Sequence, residues 1–308
     1  MAKLAAVAME VVCDTQANMA KFEKYIAEAA AQNVDLIVFP ELSLQGLPVG
    51  LTAFESPKAV SLHTLGEYVP EGENVQHLIE LAKKNDMYIA WSMIEQDKER
   101  FDVLYNTGVL VGPEGYVGKY RKVHQPLVER LYFYPGNGEY PVFDTRIGKV
   151  GLQVCFDKAY PEVARSLAVQ GAEIIVSPNA WRVTERTEED PDFRLGNVFA
   201  FARAMENMVF FVEATHAGPC RMGHSRIIGP NPMQVCATTG YDEGIAIAEV
   251  DIQKEILNAR LVGMAGSDLL KDRKPGTYSK LVENTPYTLN YGLPHDEPQS
   301  VEIVEGQS

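Results

Sequence analysis

The pattern of apolar and polar positions predicts strands and helices that alternate along the chain. Short apolar runs are typical of buried strands, and apolar residues at helical spacing are typical of amphipathic helices. The predicted strands cover residues 4–12, 35–39, 88–94, 103–111, 116–120, 150–154, 173–177, 209–214, 225–228, 233–236 and 244–250. The predicted helices cover residues 17–32, 75–85, 161–170, 194–207 and 253–259. This alternation without a linker predicts one α/β domain over residues 1–280.

Three segments lack such a pattern. Residues 42–72 are rich in Gly, Pro and Ser, which favours a long loop with a short helix. Residues 123–141 are aromatic, prolyl and glycyl, which is typical either of a site wall or of packing over a core edge. Residues 281–308 are Pro-rich and acidic, and we expect an extended tail there.

Length and charge restrict the function. A chain of 308 residues with 46% hydrophobic and 23% charged positions can bury a sizeable core. Its 28 basic and 42 acidic residues give a net charge of −14, which disfavours nucleic acid and anionic membrane as partners. No apolar run approaches the ~20 residues that cross a bilayer, and the amino terminus reads as the first strand.

The four cysteines, at positions 13, 155, 220 and 236, show no metal-binding or disulfide spacing. We therefore expect no metal site and no disulfide, and a reducing, cytoplasmic location. We interpret Cys13, Cys220 and Cys236 as packing residues.

Cys155 is different because it follows an apolar run and precedes Tyr160-Pro161-Glu162, a typical helix start. It is therefore predicted at an exposed strand-to-helix corner, where a nucleophile has a free approach path. The backbone amide of Phe156 is then a candidate donor to an oxyanion. The alternative is that Cys155 is a small buried hydrophobe.

Two further ionisable residues stand at the ends of strand-like runs, Glu41 and Lys122. Together with Cys155 they would form a base, a nucleophile and a cation that favours the thiolate and stabilises an oxyanion. Taken singly, Glu41 is more typical of a helix cap after Pro40, and Lys122 is more typical of a solvated lysine at a strand end. The residues alone do not bring the three together.

Three motifs in this order, FPELSLQGL, YRKVHQPLVER and GLQVCFDKAYPEVAR, resemble those of the nitrilase superfamily of carbon-nitrogen hydrolases. The resemblance covers about residues 4–282 and includes RKPGTYSKL near the end. It implies a four-layer α-β-β-α sandwich and a Glu-Lys-Cys triad of Glu41, Lys122 and Cys155. It also implies a second glutamate, Glu129, and no metal or organic cofactor.

The same resemblance implies that the protein cleaves a small amide or nitrile through a cysteine thioester. The sequence CFDKAYPE is similar to amidase and carbamoyl-hydrolase branches, whereas nitrilases usually read CWEN, so we expect an amidase. The ERLYF run favours nitrilases, and a nitrile or an N-carbamoyl compound stays an alternative, as does acyl transfer to an amine. The resemblance further implies a homodimer or larger assembly, with residues 161–170, 194–207 and the tail at the interface and Pro294 and Val301 crossing to a partner.

Four residues are candidates for substrate binding: Phe156, Tyr132, Lys158 and Trp181. Many relatives have an arginine shortly before the aromatic-Pro-Glu of this motif, where this chain has Lys158, Ala159 and Tyr160. Lys158 either pairs with a substrate carboxylate or extends to solvent. Trp181 lines the pocket or the core, and Arg182 is more typical of the surface. The histidines at positions 124, 216 and 224 lack ligand spacing and are interpreted as structural.

Two other classes compete with this interpretation. A Cys-His-Asp hydrolase would activate Cys155 with His216 or His224, but Gln153 and Asp157 occupy the glycine positions of the expected elbow. A non-catalytic interaction protein would have no need of Glu41, Lys122 and Cys155 together.

Overall fold

The computed structural model describes residues 1–46, 61–231, 234–262 and 266–282. The strands are β1 (Ala2–Ala8), β2 (Leu36–Val38), β3 (Tyr88–Gln96), β4 (Leu104–Gly112), β5 (Gly115–Arg121), β6 (Val142–Thr145), β7 (Gly148–Leu152), β8 (Ile174–Asn179), β9 (Phe210–Thr215), β10 (Arg226–Ile228), β11 (Val235–Thr238) and β12 (Gly244–Val250). The helices are α1 (Thr15–Ala31), α2 (Ser61–Leu65), α3 (Glu73–Asn85), α4 (Pro161–Val169), α5 (Pro191–Asn207) and α6 (Ile252–Leu261). Short 3₁₀ helices cover Leu127–Leu131, Cys155–Ala159, Pro275–Thr277 and Ser279–Val282.

The strands form two six-stranded sheets, and each sheet contains three neighbouring parallel strands. One sheet has the order β12-β1-β2-β3-β4-β5, and the other has the order β11-β10-β9-β8-β7-β6. The strands β1, β2 and β3 are parallel in the first sheet, as are β7, β8 and β9 in the second. Ligands bind beyond the carboxyl ends of parallel strands, which places a candidate site where β2 and β7 end.

Three apolar layers hold the sheets and helices together. Inward-facing residues of both sheets, such as Leu36 and Leu152, form the layer between them. On the opposite face of the first sheet, residues such as Ile37 pack on α1 and α3. On the opposite face of the second sheet, residues such as Ile175 pack on α4 and α5. The order is helices, sheet, sheet, helices, which confirms the predicted α-β-β-α sandwich.

Most predicted elements are present, and the differences have local causes. The first strand ends at Ala8 rather than at residue 12, because the Asn18 side chain bonds both the N–H and the carbonyl of Val12 and folds that segment onto α1. Strand β6 was not predicted, since it is a half-exposed edge strand without an apolar run. Residues 47–60 of the predicted long loop, and Met233 of the predicted strand 233–236, lie outside the described residues.

The chain divides into two units, Met1–Asp272 and Arg273–Ser308. The described part of the second unit consists of the last two 3₁₀ helices, and within it the Arg273 guanidinium lies 5.9 Å from the centre of the Tyr278 ring. Most of the predicted tail, including Pro294 and Val301, lies outside the described residues, so its place at an interface stays a prediction. In the described ranges, no helix has the length and apolar character to cross a membrane.

Candidate active site

Cys155 lies at the predicted corner between strand and helix. It begins a 3₁₀ turn three residues after the end of β7, and α4 then starts at Pro161 as expected. Its φ is +46°, a left-handed conformation that is uncommon for a residue with a side chain and recurs at functional sites. The expected exposure is wrong, because only 5% of Cys155 is accessible. The thiol belongs to the layer between the sheets and is reached through a cavity.

Asp157 holds this turn in place. Its buried carboxylate accepts hydrogen bonds from the Val154 amide at 3.1 Å, the Tyr120 hydroxyl at 2.9 Å and the His124 amide at 3.1 Å. It thereby ties the turn that carries Cys155 to the segment that follows Lys122. The sequence analysis used Asp157 only as a departure from an elbow motif. The available signal was its position: an acidic residue three places after the start of a turn can accept a hydrogen bond from the backbone amide at that start.

Glu41 and Lys122 lie together although they are 81 positions apart in the chain. Lys122 follows β5, and its Nζ donates to Glu41 Oε1 at 2.7 Å and to Glu129 Oε2 at 2.8 Å. The side chains of Lys122 and Glu41 are 0% and 1% exposed, and Glu129 is 12% exposed. One ammonium thus bridges two carboxylates in the interior.

Two polar residues that the sequence analysis missed orient Glu41. Asn106 Nδ2 donates to Glu41 Oε1 at 2.7 Å, and Asn106 in turn accepts from the Ser92 hydroxyl at 2.9 Å. The Ser92 hydroxyl also accepts from the Leu42 amide at 2.8 Å, next to Glu41 in the chain. Both residues are fully buried in β3 and β4, where an isolated polar residue in a strand gives no sequence signal.

The protonation states of the cluster follow from burial and charge. Burial opposes ionisation of Glu41, but the Lys122 charge and hydrogen bonds outweigh it and lower the pKa of Glu41. Burial raises the pKa of Glu129 to about 7, and the Glu41 charge adds to this against the opposing effect of Lys122. Burial would lower the pKa of Lys122, yet Glu129 and Glu41 raise it well above its usual value. At neutral pH Glu41 is therefore an anion and Lys122 a cation.

Cys155 is a thiol in this environment, although Lys122 favours the thiolate. Burial and the nearby Glu41 charge raise the pKa of Cys155 well above its usual value, and Lys122 offsets this only in part. The thiol interacts with the Glu41 carboxylate, whose Oε2 is buried and has no fixed hydrogen-bond donor among the described residues. Glu41 is therefore positioned to take the thiol proton when a substrate is present.

A cavity of about 250 Å³ opens onto these groups. It is lined by Val11, Glu41, Leu42, Pro126, Glu129, Cys155, Phe156, Ala180, Trp181, Arg182, Asp192, His216 and Arg221. No cluster of His, Cys, Asp or Glu in the described ranges is arranged to hold a metal ion.

Phe156 and Trp181 line this cavity as predicted, with ring centres 6.2 Å apart. Tyr132 does not line it; its side chain packs with Leu42 and Phe133 on a separate apolar cluster. Arg182 is exposed, as expected, but also borders the cavity.

The structure contradicts both predictions for Lys158. The side chain is fully buried, so it does not extend to solvent. Its ammonium is paired with buried Glu213, which also binds Arg226, and it does not line the cavity. A substrate carboxylate therefore has no access to Lys158.

The three histidines have different environments. His216 lines the cavity, but its Nε2 donates to the Glu41 carbonyl at 2.6 Å, and burial with the Arg221 charge lowers the pKa of His216 to about 4. His124 binds Asp157 through Nδ1 at 2.8 Å and stacks on Tyr160. His224 does not border the cavity. Of these, His216 is held on a backbone oxygen and supports the loop that carries Glu41.

Known proteins are similar to this chain in sequence and in fold. The sequence model of the carbon-nitrogen hydrolases matches residues 3–256. A nitrilase of Pyrococcus abyssi is 34% identical over 283 residues, which cover 90% of this chain and 99% of that protein. Human omega-amidase is 28% identical over 269 residues, or 82% of this chain and 89% of its own length.

The fold comparison agrees. An amidase of Nesterenkonia sp. AN1, solved with the acetamide moiety of fluoroacetamide attached to its active-site cysteine, superimposes with a TM-score of 0.71 at 22% identity, covering 91% of this chain and 96% of that one. The chain belongs to the carbon-nitrogen hydrolase family, within the nitrilase superfamily. It is a hydrolase of carbon–nitrogen bonds.

Proposed function

We propose that the protein hydrolyses a small amide to a carboxylic acid and ammonia through a thioester on Cys155. The observation that carries the proposal is the buried set of Glu41, Lys122 and Glu129, in which Lys122 binds both carboxylates and the two glutamates border the same cavity as the thiol. A protonated thiol beside an ionised carboxylate is a nucleophile with its base already in place.

In the first half of the reaction Glu41 takes the thiol proton as Cys155 Sγ attacks the amide carbon. The oxygen gains negative charge, and Lys122 Nζ with the Phe156 amide stabilises it. When the tetrahedral intermediate collapses, Glu41 passes its proton to the nitrogen and ammonia leaves. In the second half Glu41 deprotonates water, which attacks the thioester and releases the acid.

Glu129 favours an amide as the substrate. It borders the cavity, and only one of its oxygens is bound to Lys122, so the ionised carboxylate has capacity left to accept an N–H. An amide nitrogen carries such hydrogens and a nitrile nitrogen carries none. Hydrolysis of a nitrile is the second candidate, because a relative that is 34% identical is a nitrilase.

The test is ammonia release from matched amides, nitriles and N-carbamoyl amines of the same carbon skeleton. We expect release from the amides. Release from nitriles alone would replace the amide by the nitrile as substrate. Release from N-carbamoyl amines alone would assign the carbamoyl branch, and transfer to added hydroxylamine without free acid would indicate an acyltransferase.

We also expect the rate to depend on the ionisation of Glu129. Because the pKa of Glu129 is raised to about 7, this carboxyl loses its charge below that pH and becomes a much weaker acceptor for the amide N–H. The value of kcat/KM should therefore fall about tenfold per pH unit below pH 7 and level off above it.

The Glu129→Gln variant should be slower at every pH, and its kcat/KM should not fall in this way below pH 7. The control is Glu139→Gln, a change at an exposed position, which should keep the wild-type fall. The measurement is kcat/KM from pH 5 to 9. If kcat/KM of Glu129→Gln fell below the same pH as that of the wild type, the titration would belong to another group.

A further inference from the structure

Arg221 is connected to Cys155 through the backbone of a single residue, Ala180. Its Nη1 donates to the Ala180 carbonyl at 3.0 Å, and the Ala180 backbone amide is hydrogen-bonded to Cys155. The side chain is half-buried and borders the cavity. A guanidinium has five N–H donors, and the bond to Ala180 uses one of them.

Arg221 and its neighbour Arg182 lack an acidic partner. The backbones of the two residues pair in an antiparallel bridge, which sets two cations side by side at the cavity. Neither guanidinium forms an ion pair with a carboxylate in the parts of the chain that the structure describes. Burial and the Arg182 charge lower the pKa of Arg221. Arg221 is half-buried and Arg182 is exposed, and an anion placed between two adjacent cations stabilises both of them.

The remaining charges of the cavity do not supply this anion. Glu41 and Glu129 are bound to Lys122, and Asp192 is exposed to solvent. Behind Trp181, whose ring centre lies 4.5 Å from Lys158 Nζ, the buried Lys158 and Arg226 share a single carboxylate. The region beyond Cys155 is therefore positively charged, whereas the reacting end is occupied by Glu41, Lys122 and Glu129.

We propose that the acyl part of the substrate carries a carboxylate, which Arg221 binds with Arg182 as the second cation. The substrate is then the monoamide of a short dicarboxylic acid: its amide meets Cys155 and its acid meets Arg221. The assignment rests on the proposed amide hydrolysis and adds the substrate class. Arg221 is a specificity residue in this arrangement and takes no part in proton transfer.

The test compares succinamate with butyramide, which has the same length but no carboxylate. The wild type should have a kcat/KM at least tenfold higher for succinamate. Arg221→Met should raise KM for succinamate roughly 10- to 100-fold, the strength of a hydrogen-bonded charge contact, and should change butyramide kinetics less than about threefold. Arg221→Lys should recover part of the loss, and Arg100→Met, a change of an exposed arginine paired with Asp102, should alter neither substrate.

Equal kcat/KM values for the two amides in the wild type would overturn the inference and leave amide hydrolysis intact. An equal loss on both amides in Arg221→Met would show instead that Arg221 only positions Ala180. Turnover of nitriles alone would refute the amide function, and 3-cyanopropanoate against butyronitrile would then carry the same comparison.

A second measurement does not need turnover. Succinamate and butyramide can be compared as protectants of Cys155 against iodoacetamide, with labelling read on the Cys155 peptide by mass spectrometry because Cys13 and Cys220 are exposed. Succinamate should protect at a concentration at least tenfold lower, and Arg221→Met should remove that advantage. Equal protection by both compounds in the wild type would overturn the inference.

Discussion

Replacing Cys155 with alanine should abolish amide hydrolysis, with a loss in kcat of more than about 10⁴-fold, as for the nucleophiles of other hydrolases that act through an acyl-enzyme. Alanine removes the sulfur that forms the thioester and leaves Glu41 and Lys122 without a group to activate. The change is small, and the side chain lies on the border of a cavity, so the fold should be kept. The measurement is ammonia release under saturating amide, together with circular dichroism.

The control is Cys220→Ala, because Cys220 does not line the active-site cavity. The interpretation of Cys220 as a packing residue was wrong, since this side chain is exposed. Cys220→Ala should keep full activity. Rapid quenching of the wild type followed by mass spectrometry should also show an acyl adduct on the Cys155 peptide. Residual turnover above a tenth of the wild type in Cys155→Ala would rule out the thioester route.

This variant does not separate the proposed triad from a Cys-His-Asp hydrolase, and His216→Ala helps to do so. His216 is held on the Glu41 carbonyl and is neutral at physiological pH, so it supports the glutamate and does not act as the base of Cys155. Its loss should reduce kcat without removing it. If His216→Ala were as inactive as Cys155→Ala while Lys122 variants kept activity, the histidine mechanism would be preferred.

The sequence predicts the layers well and the site only in outline. The apolar runs of β3 and β8 are long enough to identify as strands, and Pro161 marks the start of α4. Glu41 and Lys122 are different, because 81 positions separate them and nothing local requires them to meet. The resemblance to the family implies that contact, and in the structure Lys122 Nζ lies 2.7 Å from Glu41 Oε1.

What the sequence could not supply depends on burial and on distant partners. Lys158 was expected near the substrate or in water, yet its partner Glu213 lies 55 positions later and no local pattern connects them. Lys122 was expected to favour the Cys155 thiolate, but burial and the Glu41 charge outweigh the effect of that lysine on the pKa of Cys155. Arg221 follows an exposed turn and reads as a surface residue until the cavity is seen.

Lys122→Met should produce the other large effect, and it acts on both rate and stability. Methionine fills most of the lysine volume but donates no hydrogen bond to the developing oxyanion. Loss of one such donor costs about 2.7 to 4 kcal/mol, or roughly 10²- to 10³-fold in kcat. Two carboxylates would also be left in the interior without their cation, which destabilises the fold by about 3 to 5 kcal/mol.

Lys119→Met is the matched control, since Lys119 lies in β5, the strand that Lys122 follows, and its ion-pair partner is buried Glu95 at 2.5 Å rather than Glu41 or Glu129. It should lose some stability and keep its kcat. The measurements are kcat and the midpoint of urea unfolding for both variants, with Lys122→Arg as a third that keeps the charge. A folded Lys122→Met protein with more than a tenth of the wild-type kcat would show that the oxyanion is stabilised elsewhere. If Lys119→Met lost as much kcat as Lys122→Met, the lost rate would follow from general destabilisation and not from the missing donor.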